Sequence, residues 1–89
     1  MPIIRGSFYD LTGTVQQTTT TFNIVVLNYA GANTGYGGNY SNGTYTINVG
    51  VLAPDIKTIS FQVSVGGNIL TTLSGLDGAH GPRIIDILV

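Results

Sequence analysis

The chain has 89 residues, enough for one domain and one core, and no Cys, so neither disulfides nor thiolate metal sites are available to it. Charged side chains make up 8% of the residues, where ~25% is ordinary, and the net charge is −1. Three scattered cations (Arg5, Lys57 and Arg83) form no basic patch, which argues against nucleic acid as a partner.

Residues Ile3 to Tyr9 predict a first strand, and Gly13 to Gln17 a short additional one. A strand at 19–29 follows, in which Phe22, Ile24 and Val26 oppose Asn23, Val25 and Leu27. Its end is apolar on both faces, as expected in the middle of a sheet or beneath a neighbouring subunit.

The run Asn28–Tyr45 is composed only of Tyr, Asn, Gly, Ala, Thr and Ser. It contains no charge and no large aliphatic side chain, and residues 30–43 within it are expected to form a long loop. Loops of that length in compact domains are uncommon unless functional or disordered. Tyr rings offer large contact area at low conformational-entropy cost, and Asn and Gly adapt their hydrogen bonds. The candidate binding residues are therefore Tyr29, Asn33, Tyr36, Asn39, Tyr40 and Asn42. Asn39-Tyr40-Ser41 and Asn42-Gly43-Thr44 also match the glycosylation acceptor pattern, a short triplet that says little without an export route.

Residues 44–52 alternate Tyr45, Ile47, Val49 and Val51 with polar neighbours, predicting a half-buried strand that Pro54 ends. Ile59 to Val65 alternates strictly, Gly66-Gly67-Asn68 suits a two-residue turn, and Ile69 to Leu73 returns, giving a hairpin. A last strand is expected over Arg83 to Val89, interrupted by Asp86, which reads as an edge guard or as a salt-bridge partner of Arg5 or Arg83. Six or seven strands at this spacing, with no helical period anywhere, predict one all-β domain over 1–89. Its expected form is a small antiparallel β-sandwich, jelly-roll-like. No stretch approaches the ~20 apolar residues of a membrane span, and Met1–Gly6 shows no signal-peptide pattern.

Little reactive chemistry is visible. Asp77, His80 and Asp86 lack a nucleophile elbow, and Asp77-Gly78 and Gly81-Pro82 read as a polar turn. One His with two Asp is not a transition-metal ligand set, and the acidic repeat of a calcium loop is missing. No cofactor, no metal and no catalysis are expected. Composition and architecture give a general resemblance to small β-sandwich knobs and capsid-decorating proteins, which transfers no residues. The expectation is a non-enzymatic structural protein of a virion or cell surface, a homo-oligomer with trimer as the guess, packing on itself and on other virion or surface proteins. The alternatives are a carbohydrate-binding module, with glycans as partners of the Tyr/Asn/Gly segment, and a fibre subunit donating strand Ile84–Val89.

Overall fold

The computed structural model describes residues 3–28, 30–48, 58–77 and 83–89. Among them are eight strands and no helix: β1 (Ile3–Tyr9), β2 (Phe22–Leu27), β3 (Asn33–Tyr40), β4 (Thr44–Asn48), β5 (Thr58–Val65), β6 (Asn68–Asp77), β7 (Arg83–Ile84) and β8 (Ile87–Leu88). They form two sheets of a sandwich. One runs β4-β1-β7, with β8 continuing β7 along the same edge of β1, and the other runs β3-β2-β5-β6. Accordingly no helix in the described residues is long and apolar enough to cross a membrane.

Period-two alternation sets the faces. Ile4 and Phe8 of β1, Tyr45 and Ile47 of β4, and Ile87 of β8 turn inward from the narrower sheet. Phe22, Ile24 and Val26 of β2 and Ile59, Phe61 and Val63 of β5 meet them from the other. Aromatic rings join the layers: Phe8 stacks on Phe22 at 4.4 Å and Tyr45 meets Phe61 edge-on at 5.9 Å, while Phe8 and Tyr45 meet within the narrower sheet at 5.5 Å. Such pairs add about 0.5–1.5 kcal/mol each beyond burial of their area.

The Phe8–Phe22 stack also fixes how the sheets align. The Tyr9 end of β1, the Thr44 end of β4 and the Leu88 end of β8 lie at the same end of the sandwich as Phe22, Tyr40, Val65 and Asn68. The loop after β1 and the β3–β4 and β5–β6 turns therefore share that end. Leu27, Asn33, Asn48 and Thr58 mark the other. The longest dimension, 36 Å, matches the run of the ten-residue β6 at about 3.3 Å per residue.

The β5–β6 hairpin is as expected, with Gly66 and Gly67 both at positive φ (57° and 87°), the requirement of a tight turn matched to strand twist. β2 is the central strand expected from its two apolar faces, lying between β3 and β5, and spans 22–27 rather than 19–29. β6 runs on past Leu73 to Asp77. Over 44–52 the described part ends at Asn48.

Three expectations change. Residues 33–40 are a strand, not part of a long loop: Thr34, Tyr36, Gly38 and Tyr40 are half-buried while Asn33, Gly35, Gly37 and Asn39 are exposed. The alternation was present, but Gly and Asn, which disfavour strands, masked it. Next, residues 13–17 contribute only an isolated bridge, Tyr9 to Gln16. Finally, the closing strand is split in two and pairs parallel to β1, so the sandwich is not wholly antiparallel.

Candidate functional site

Two adjoining shallow depressions run over β4 and share Thr44, Tyr45 and Thr46. Asn39, Tyr40, Ser41 and Asn42 wall one of them, at the corner where the chain passes from β3 to β4. Arg5, Gly6, Ser7, Ile84 and Asp86 wall the other, on the outer side of the narrower sheet.

The first depression brings together three of the six residues expected from sequence. Asn39 is exposed on β3, and its Oδ1 accepts Asn23 Nδ2 at 3.1 Å. Asn42 is exposed in the turn, and the adjacent Gly43 carbonyl accepts the Phe8 N–H at 2.9 Å and Gln16 Nε2 at 3.1 Å. Tyr40 is half-buried: its hydroxyl donates to the Thr46 carbonyl at 3.3 Å, and its ring meets Tyr45 at 6.1 Å. Burial raises the phenol pKa of Tyr40, so that hydroxyl stays protonated.

The other expected residues lie elsewhere. Tyr36 packs against the core from β3, and its ring is not a free stacking platform. Asn33 begins β3 opposite Leu27, its Oδ1 accepting the Gly35 N–H at 2.8 Å. Tyr29 lies outside the described residues, as does His80. Tyrosines and asparagines of β3 thus occupy opposite faces, because their spacing is even within each type and odd between them.

The second depression was missed at the sequence level, and it rests on a break between β7 and β8. A parallel ladder sends the Ser7 N–H to the Ile85 carbonyl. Here Asp86 Oδ1 accepts it instead, at 3.0 Å. The Ile85 carbonyl tips over Gly6 and accepts the Tyr45 hydroxyl. Register survives the break, since the Ile85 N–H reaches the Arg5 carbonyl and the Val89 N–H the Tyr9 carbonyl, both at 2.8 Å. Gly6 is what admits the tipped carbonyl: an added Cβ would overlap the Ile85 oxygen and sit 2.6 Å from its carbon. Tyr45 faces Gly6 across the strands, its ring filling the space left by the missing side chain. Burial, then the Asp86 carboxylate, then Tyr40 push the Tyr45 phenol far above the usual range. Asp86 therefore serves its own sheet's backbone, a role that neither edge guarding nor an ion pair anticipates. The legible traces of this site were a Gly in an alternating strand and an Asp in an apolar one.

Chemically, the groove offers amides, neutral phenols, Ser and Thr hydroxyls, and one guanidinium and one carboxylate at its far side. Such groups hold and orient a surface by hydrogen bonding. Among the described residues no three His, Asp or Glu side chains gather as metal ligands. No protein-family model, curated protein or solved structure matches the chain.

Proposed function

We propose that the protein is a non-enzymatic structural subunit of a surface assembly, of the kind that decorates or spikes a virion, working by packing against copies of itself and its neighbours. The observation that carries this reading is the outer face of the four-stranded sheet. Asn33, Gly37 and Asn39 of β3, Asn23, Val25 and Leu27 of β2, and Ser60, Gln62 and Ser64 of β5 lie side by side on it without a charge. Val25 near its centre and Leu27 at its far end are half-buried. Burying such a wall desolvates no charge, and its side-chain amides and hydroxyls adapt to a partner. Net charge near zero also leaves little repulsion between copies. Sedimentation over a concentration series is the test: the expected result is a defined oligomer. A species that stays monomeric at high concentration, alone and with a candidate coat protein, removes the reading.

The β3–β4 corner favours a second reading, a carbohydrate contact, because Asn39, Ser41, Asn42, Thr44 and Thr46 present amides and hydroxyls around the partly exposed edge of Tyr40. A glycan array with Asn42→Ala and Thr46→Ala as controls decides it. Binding lost in both variants supports the reading, and no binding to any glycan ends it.

A further inference from the structure

Large apolar side chains are not left exposed at random on this sandwich. Of the six large apolar side chains exposed among the described residues, Leu11 (77% exposed), Val15 (58%), Ile69 (59%), Leu70 (50%) and Leu88 (45%) belong to the end that carries the loop after β1 and the β5–β6 turn; the sixth, Ile84, sits on β7 opposite Arg5, away from it. Leu88 lies against that loop, since a Cβ on Gly13 would be 3.5 Å from its Cδ2. Loop 10–16 and the turns at 41–43 and 66–67 contain a single charged residue, Asp10. Its carboxylate is turned into its own loop, where Oδ1 accepts Thr12 Oγ1 at 2.8 Å and the Thr14 N–H at 3.0 Å. The end thus sets exposed aliphatic side chains among uncharged hydroxyls and amides such as Thr12, Gln16, Ser41 and Asn42, with its one charge engaged in its own loop.

We propose that this end is the self-association surface, meeting the same end of a second copy head to head. The inference rests on the oligomeric reading above and adds a second contact to the sheet face named there. Its occupant follows from charge: a partner must be neutral where it touches, or it leaves a charge desolvated and unpaired. A second copy presents the same aliphatic side chains among uncharged polar ones, with its carboxylate held in its own loop, and a two-fold axis makes the patch complementary to itself. A lipid surface fits less well, because the end has neither cations for anionic headgroups nor exposed aromatic anchors. Size sets the strength. The two shorter extents, 25 × 19 Å, project about 475 Å² per copy, so a pair buries somewhat less than the ~1,200 Å² at the lower bound of stable interfaces. The contact is therefore weak alone, with a dissociation constant expected in the micromolar range or above.

Sedimentation from micromolar to millimolar concentration, on the wild type and four variants, tests this. Leu11→Lys combined with Ile69→Lys places like charges across the axis and should shift the midpoint of association at least tenfold upward. Ala30→Lys, exposed at the opposite end, should leave it unchanged. Mixing Leu11→Lys with Leu11→Asp should restore association that each lacks alone. Oligomers that persist undiminished in the double Lys variant overturn the inference and spare the broader reading. A wild type that stays monomeric overturns both. A wild type that is monomeric but floats with phosphatidylcholine vesicles, and loses flotation in the double Lys variant, assigns the end to a bilayer instead.

Discussion

Replacing Tyr45 by Phe removes one oxygen and leaves the ring contacts to Phe8, Tyr40 and Phe61 in place. What it deletes is the donor that satisfies the tipped Ile85 carbonyl. Leaving a part-buried acceptor unpaired costs about 1–3 kcal/mol, and 2 kcal/mol is a reasonable central value. In a domain of this size each kcal/mol moves Tm by roughly 4–8 °C, so the expected drop is about 8–16 °C. A chain of this length holds about 4–13 kcal/mol in total, so the variant still folds at room temperature and can be compared directly. Thermal unfolding gives the magnitude and amide hydrogen exchange gives the location. The Ile85 and Val89 amides, which tie β7 and β8 to β1, should exchange faster than those of the β2–β5 pair. A Tm within about 2 °C of wild type, with Ile85 and Val89 protection unchanged, would refute the idea that this hydroxyl holds the broken strand in place.

Gly6→Ala should cost as much or more, about 1–3 kcal/mol, because the atom its Cβ overlaps is backbone that can yield only by moving β7 and β8; urea denaturation checks it. Asp86→Asn keeps an acceptor for the Ser7 N–H and should stay within about 1 kcal/mol of wild type, whereas Asp86→Ala should lose roughly 1–2 kcal/mol more, as read by the same assay. The Asp10 carboxyl is held below its ordinary value, first by the Thr12 hydroxyl and then by the Thr14 N–H. A lowered folded-state pKa stabilises above the unfolded value and is lost as pH falls through the folded one. Asp10→Asn should therefore be the less stable protein at neutral pH, with the gap closing as pH drops below about 4; a constant gap across thermal melts in that range would contradict it.

Much of the framework was legible because strand alternation is a local property. Ile59 to Val65 and Gly66-Gly67 declare a hairpin from the residues alone, and Val25 and Leu27 beside Phe22, Ile24 and Val26 declare a central strand. Pairing between distant segments was not legible: nothing in Ile3–Tyr9 says that its neighbours will be β4 on one side and a parallel β7–β8 on the other. The hidden strand β3 shows a different limit. Its inward residues Thr34, Tyr36, Gly38 and Tyr40 follow the strand period, yet two of the four are too polar or too small to announce a buried face. The candidate site suffers from both limits. Asn39, Tyr40 and Asn42 are near in sequence and were foreseen, while Arg5, Ser7 and Asp86 meet only through the fold.

Edges bear most directly on how copies of this protein can meet. An exposed sheet edge is a template for adding another strand, and the edges at β3, β6 and β7–β8 are each altered in their own way. β3 shifts register against β2 between Val25 and Leu27, with Gly35 and Gly37 at positive φ and Thr34 Oγ1 donating to the Val26 carbonyl at 2.8 Å. Gly37 passes so close to Ile24 that a Cβ there would overlap the Ile24 carbonyl oxygen. β6 shifts twice against β5, between Ile59 and Phe61 and between Val63 and Ser64. β7–β8 is broken at Ile85–Asp86. A bulge or break interrupts the even row of N–H and C=O groups that an incoming strand must match. Donation of residues 84–89 to a neighbour would also give up their pairing with β1 and the burial of Ile87. Association through flat faces and the end of the sandwich demands neither, so concentrated protein should form closed oligomers and not bind an amyloid dye; dye-positive fibres growing from the folded state would put strand donation ahead of it.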